Sequence, residues 1–179
     1  MGFKRGGLRR SGAVAAMVSV IWLAPGAAAA QSAYTTGSYL SVGVGAFDVF
    51  EDEFRSTQFE LQFRPGLKWW LLQPMVGASV TTDGSVFGYG GISLDINLTP
   101  YLVVRPSVAA GAYEEGDGKD LGGTLEFRSG IEIAWQFDNR MRLGLELYHR
   151  SNAGIYDDNP GEESLMLNFS APWSALFER

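Results

Sequence analysis

The chain contains no cysteine and a single histidine. Without thiols there is no disulfide framework, no thiolate nucleophile and no cysteine-based zinc site. One imidazole offers little to a metal cluster, and no group of residues has metal-ligand spacing. No metal or other cofactor is therefore called for, and acid–base chemistry centred on a histidine has to use His149. Positive charge is also scarce: 14 Lys and Arg face 20 Asp and Glu, for a net charge of −6. That balance argues against nucleic acid, or an anionic lipid surface, as a simple electrostatic partner. No phosphate-cradling glycine loop is present. After the first thirty residues there is no long apolar run and no convincing helical stripe.

Those first thirty residues have a character of their own. Lys4, Arg5, Arg9 and Arg10 precede an apolar stretch from Gly12 to Ala24, which Pro25 and Gly26 break. Ala28-Ala29-Ala30 then supplies small residues at a cleavage position before Gln31. The pattern is that of a cleaved secretory signal over 1–30, leaving 31–179 as one domain. This leader holds four basic and no acidic residues, so the remainder carries ten basic against twenty acidic side chains.

What replaces long apolar runs is alternation. Leu40, Val42 and Val44 alternate with Ser41, Gly43 and Gly45. Phe59, Leu61 and Phe63 alternate with Gln58, Glu60, Gln62 and Arg64. The same two-residue period recurs over Leu72–Thr81, Gly91–Leu98, Leu102–Gly111, Leu125–Trp135, Met141–Tyr148 and Leu165–Ala171. Period two places each set on one face of a sheet. Eight such runs fit a soluble sheet with its apolar face inward, or a membrane barrel with that face outward. The polar set favours the second. It is rich in Gly and Ser, as a narrow lumen requires, and carries Arg64, Arg105, Arg128 and Arg142 with Glu60, Asp95, Glu126, Glu132 and Glu146. Mixed signs in a confined space predict a salt-bridged interior rather than an open pore. The expected fold is all-β: an eight-stranded antiparallel transmembrane β-barrel of the outer membrane, with up-and-down topology.

Connections orient it. Longer polar loops run from Asp48 to Ser56, Glu114 to Gly123 and Asn152 to Glu162, with a short link at Thr82–Ser85 on the same side. Tight turns such as Thr99-Pro100 and Asp138-Asn139-Arg140 lie on the other. Longer loops face outside the cell and short turns face the periplasm. Trp69, Trp70, Tyr101, Trp135 and Phe137 gather near the short-turn rim, as an interfacial girdle would. The last strand is expected to end at Trp173.

Parity then locates the one cluster able to do chemistry, within Tyr148–Ser164. If Leu143, Leu145 and Leu147 face lipid, so do His149 and Ser151; if Leu165, Leu167 and Phe169 face lipid, so does Glu163. Residues two apart on a strand are separated by about 6.6 Å, and facing pairs on neighbouring strands by about 5 Å. Base, hydroxyl and carboxylate can then meet near the outer leaflet. A polar trio on a lipid face is costly unless used, although at headgroup level such residues are also ordinary.

His149, Ser151-Asn152-Ala153-Gly154, Asn159, Gly161, Glu163 and Ser164, with this loop length, resemble the outer-membrane lipid A 3-O-deacylases of the PagL type. The resemblance implies a serine esterase that removes the 3-position hydroxyacyl chain of lipid A, with lipopolysaccharide as substrate. Its catalytic triad would be Ser151, His149 and Glu163, and Asn152, Gly154 and Asn159 would be candidates for the oxyanion hole. A homodimer is left open. The alternatives are a non-enzymatic small barrel for adhesion or envelope integrity, and a soluble lipocalin-like binder.

Overall fold

The structure is a computed structural model that describes residues 37–51 and 53–177. The leader and its cleavage position lie outside the described residues. The elements are β1 (Tyr39–Phe47), β2 (Ser56–Arg64), β3 (Leu72–Thr81), β4 (Val86–Leu94), β5 (Ile96–Asn97), β6 (Leu102–Glu114), β7 (Leu125–Gln136), β8 (Arg142–Ser151), β9 (Glu162–Pro172) and a short helix α1 (Trp173–Phe177). Strands pair antiparallel with their sequence neighbours, except that β4 and β5 both pair with β6 and not with each other, and β9 pairs with β1, which closes the sheet. The result is a closed eight-stranded antiparallel barrel, because β4 and β5 are two parts of one stave. The interruption has a local cause. Register runs from Ser93↔Ser107 to Ile96↔Val104, so the gap lies opposite Pro106, which has no N–H to give the ladder.

Two boundaries differ from the alternation in the sequence. The fourth stave begins at Val86, earlier than the apolar run suggests. Over that stretch Gly88 and Gly90 face outward while Phe87 and Tyr89 face inward, so the usual apolar-out pattern is inverted. At the other end β9 stops at Pro172, and Trp173 begins α1 rather than ending the strand.

The barrel is inside-out relative to a soluble protein. Val42, Phe59, Leu61, Val76, Ile133, Leu145 and Leu167 are exposed on the outer wall. Arg64, Arg105, Arg128, Arg142, Glu60, Glu132 and Glu146 are buried in the lumen. A continuous apolar belt of this extent needs a partner, and for a closed barrel that partner is lipid. No helix among the described residues is long and apolar enough to cross a membrane, which bears on helices only.

Most charges in the lumen are matched across strands, although among the described residues Arg64 hydrogen-bonds to Gln62 and Ser170 instead of an acid and the buried Glu126 carboxylate makes no hydrogen bond. Arg128 pairs with Glu60 at 3.0 Å and Glu146 at 2.9 Å, Arg142 with Asp95 at 2.6 Å, and Arg105 with Glu132. Glycines make room for them: a Cβ on Gly144 would strike the Glu132 carboxylate, and one on Gly77 would strike the Tyr89 hydroxyl. At the short-turn end Trp69 and Trp70 are exposed, Tyr101 stacks on Trp135 at 5.7 Å, and Trp173 of α1 packs against Phe63 and Phe177. This aromatic rim sits opposite the end that carries the longer loops.

Candidate active site

The β8–β9 hairpin emerges at the long-loop end. On it, Arg150↔Glu162 and His149↔Glu163 are successive facing pairs. Alternation sends the first pair into the lumen, where Arg150 and Glu162 form a buried ion pair at 3.2 Å. It sends the second pair outward, continuing the stripe of Leu143, Leu145 and Leu147. There His149 Nδ1 and Glu163 Oε1 are 3.0 Å apart, with the side chains 47% and 32% exposed. Glu163 is an acceptor when ionised, so this contact favours the proton on Nδ1 and leaves the Nε2 lone pair free to act as a base.

Ser151 is the last residue of β8, two positions from His149, half-buried and opposite Phe127 of β7. No hydrogen bond joins its hydroxyl to the imidazole among the described residues, and the serine–base contact is often loose without substrate. Gly161, just before β9, lies beside the ring. Its φ is +67°, and a Cβ there would lie 3.0 Å from His149 Cε1 and 3.7 Å from Nε2. Only a glycine suits both the left-handed backbone and the space beside the imidazole. Spacing alone does not single this glycine out.

The segment after Ser151 reverses sharply. Ala153 (φ 55°) and Gly154 (φ 76°) are consecutive left-handed residues, and Ile155 N–H returns to the Asn152 carbonyl at 3.2 Å. This is the signature of a type I′ turn. For Ala153 the conformation costs about 1 kcal/mol or more, so something must hold it. Asn152 does. Fully buried, it donates from Nδ2 to the carbonyls of Leu121 (2.8 Å) and Asp158 (2.7 Å), and its Oδ1 accepts from Gly154 N–H at 2.9 Å. Its own N–H donates to Asn159 Oδ1 at 3.0 Å.

That network runs through the oxyanion-hole candidates of the sequence: the backbone N–H groups of Asn152 and Gly154 and the Asn152 side-chain amide brace the loop, and Asn159 Oδ1 accepts from Asn152 N–H. The Ala153 N–H makes no hydrogen bond among the described residues. The sequence does not distinguish a loop brace from an oxyanion donor, because one of the two acceptors of the Asn152 amide, the Leu121 carbonyl, is 31 residues away.

Beside the site the outer wall has a shallow apolar depression. Ser151 faces Phe127, Phe127 faces Ala110, and Ala110 faces Gly90 across β8, β7, β6 and β4. An open apolar groove of about 380 Å³ follows this row, lined by Phe127, Ala110, Val108, Ile92 and Gly90. Among the described residues no three His, Cys, Asp or Glu side chains are grouped as metal ligands.

Known proteins were compared with the chain. The family described as lipid A 3-O-deacylase (PagL) matches residues 52–172. The lipid A deacylase PagL of Pseudomonas aeruginosa is 30% identical over 76 residues, which cover 42% of this chain and 44% of that relative. The aligned stretch thus spans less than half of the relative's length. Among solved structures, the crystal structure of the outer membrane enzyme PagL superposes with a TM-score of 0.59 at 21% identity, covering 75% of this chain and 99% of that one. A de novo designed transmembrane β-barrel gives 0.53 at 15% identity, covering 75% and 93%.

Proposed function

Because the chain belongs to the lipid A 3-O-deacylase (PagL) family, we propose that it is an outer-membrane serine esterase that cleaves the 3-position ester of lipid A and releases a 3-hydroxyacyl chain. The supporting observation is the His149–Glu163 hydrogen bond on the outward face of the β8–β9 hairpin, with Ser151 two residues along the same face. An esterase of the outer leaflet needs its nucleophile and base at that height and on that side, since its substrate lies in the surrounding lipid.

In this reading the Ser151 hydroxyl attacks the ester carbonyl carbon while His149 Nε2 takes its proton. Glu163 holds the Nδ1 proton and stabilises the imidazolium that forms. The tetrahedral intermediate collapses, the C–O bond to the sugar breaks, and His149 returns the proton to the departing sugar oxygen. Water, deprotonated by the same imidazole, then attacks the acyl-serine and frees the hydroxy acid. For the oxyanion contact the candidates remain Asn152, Gly154 and Asn159, joined by the Ala153 amide, two residues after Ser151, which the loop leaves without an acceptor among the described residues. One such donor is typically worth about 3 kcal/mol. The hollow beside Phe127 gives the acyl chain an apolar bed next to Ser151.

A fluorophosphonate probe tests the nucleophile directly. Folded wild type should be labelled on Ser151 and lose its ability to release hydroxy acid from lipopolysaccharide. The Ser151→Ala variant should be neither labelled nor active. Hydroxy acid release by folded Ser151→Ala at the wild-type rate would reject the assignment.

A further inference from the structure

The proposed hydrolysis makes no use of a buried cation above the lumen. Lys119, in the β6–β7 loop, is almost fully enclosed, and its ammonium donates to Asp48 Oδ1 at 3.0 Å, Asp48 Oδ2 at 3.1 Å and Glu51 Oε2 at 2.8 Å. Both carboxylates belong to the β1–β2 loop, about seventy positions away in the chain. A surface lysine pair contributes little and moves freely. Here the Lys119–Asp48 pair is inside the protein, with Asp48 fully buried in a left-handed conformation (φ 56°), while Glu51 caps it from the exposed side.

Each side of the clasp leads to a different part of the site. Next to Asp48, Val49 N–H donates to the Glu163 carbonyl at 2.8 Å, so the β1–β2 loop holds the residue that orients the imidazole. Two residues after Lys119, the Leu121 carbonyl accepts from Asn152 Nδ2, so the β6–β7 loop holds the turn that follows Ser151. Leu121 is itself fixed, fully buried among Met75, Phe87, Tyr89, Ala109 and Tyr113. Tyr113 Oη donates to the Lys119 carbonyl at 2.8 Å and steadies the loop from below. Between them Gly122 (φ 88°) has no side chain to spare: a Cβ would strike the Asp158 carbonyl and come within 3.0 Å of Asn152 Nδ2.

We propose that Lys119 is a positioning residue for the reaction: its ion pair with Asp48 and Glu51 ties the loop that holds Glu163 to the loop that holds the Ser151–Asn152 turn, and so fixes base and nucleophile relative to each other. The inference deepens the esterase reading and rests on it for its kinetic consequence. It does not depend on that reading for its structural one. Lys119 touches none of the reacting groups and acts through two backbone contacts, each one side chain removed from the triad.

The test uses the full barrel refolded in detergent micelles, with folding followed by heat-modifiable gel mobility. Lys119→Met removes the charge. The Asp48→Asn/Lys119→Met pair removes both charges and leaves no lone buried carboxylate. Lys119→Arg restores the cation. His149 is the only histidine in the chain, so a ¹³C-labelled imidazole reports on the site with one set of signals, whatever the activity. The first two variants are expected to lose about 10- to 100-fold in kcat on lipopolysaccharide micelles, the scale of a sub-ångström to 1 Å misplacement. KM should stay within about twofold, the imidazole signals should shift and broaden, and Lys119→Arg should recover most of both. Folded variants with wild-type kcat and unshifted imidazole signals would overturn the proposal. So would a failure of both Met variants to fold, since the clasp would then support the barrel rather than the site. If the wild type releases no hydroxy acid, the esterase reading fails, and the imidazole signals alone decide whether the clasp sets the geometry.

Discussion

Gly161 shows how small the tolerances are around the imidazole. A methyl group there would sit against His149 Cε1 on a backbone that disfavours any side chain. Gly161→Ala is therefore expected to leave the barrel folded while lowering hydroxy acid release by about tenfold or more, measured on lipopolysaccharide micelles beside a gel-shift check of folding. The residues that meet at this ring were legible in the sequence to different degrees. His149 and Glu163 follow from parity alone, since two-residue alternation carries both leucine stripes to the end of the hairpin. The bracing role of Asn152 did not follow. Its spacing next to Ser151 suggests a donor to substrate, and only the folded loop reveals that the Leu121 and Asp158 carbonyls already take its protons. Asp158 lies in the same loop, but the Leu121 half of that capture is distant in the chain.

Among the elements, the strands were legible because one face of each is apolar and the other polar, and that contrast survives any register. The break opposite Pro106 and the early start of β4 were not. The first depends on which residue lies across the ladder, and the second on glycines that face lipid without adding hydrophobicity. The loops were legible only as polar stretches, yet their clasp has a definite pH response. Burial raises Asp48 above the usual aspartate value, more than the Lys119 ammonium lowers it. Burial would lower Lys119, but hydrogen bonds to Glu51 and Asp48 outweigh it and hold the ammonium above the usual lysine value. Both groups thus bind their protons more tightly in the folded chain than in the unfolded one. For Lys119 the linked stability is complete below the ordinary lysine value and is lost as the pH rises through its folded value. For Asp48 the same sign means that ionisation at neutral pH works against the fold. Acid that protonates Asp48 weakens the ion pair without unfolding the barrel through this group. In urea titrations at pH 7, Asp48→Asn should unfold at the wild-type midpoint or above it, and Lys119→Met below it. A large drop for Asp48→Asn would contradict that sign.

At the scale of the whole molecule, two opposite surfaces define the protein: a lumen of largely matched charges and a wall of exposed apolar residues. The sequence displayed both sets but could not say which arginine meets which acid, because that depends on the register of strands distant in the chain. Arg128 illustrates the point, joining Glu60 of β2 to Glu146 of β8 across the lumen and lying 3.9 Å from the centre of the Tyr148 ring. Arg128→Met would strand two buried carboxylates and is expected to cost about 3–5 kcal/mol, read from urea unfolding in micelles. A loss under about 1 kcal/mol would mean that the lumen does not depend on this pair. On the proposed reading, the same two surfaces let a serine esterase be built on an outer wall: the lumen fixes the hairpin from within, and the apolar face would present its ends to the outer leaflet. The most direct measurement is mass spectrometry of lipid A from cells carrying the wild-type chain or Ser151→Ala, both shown to be folded in the outer membrane. Lipid A lighter by one 3-hydroxyacyl group with the wild type, and of unchanged mass with Ser151→Ala, is the predicted result; the same mass in both would contradict the account.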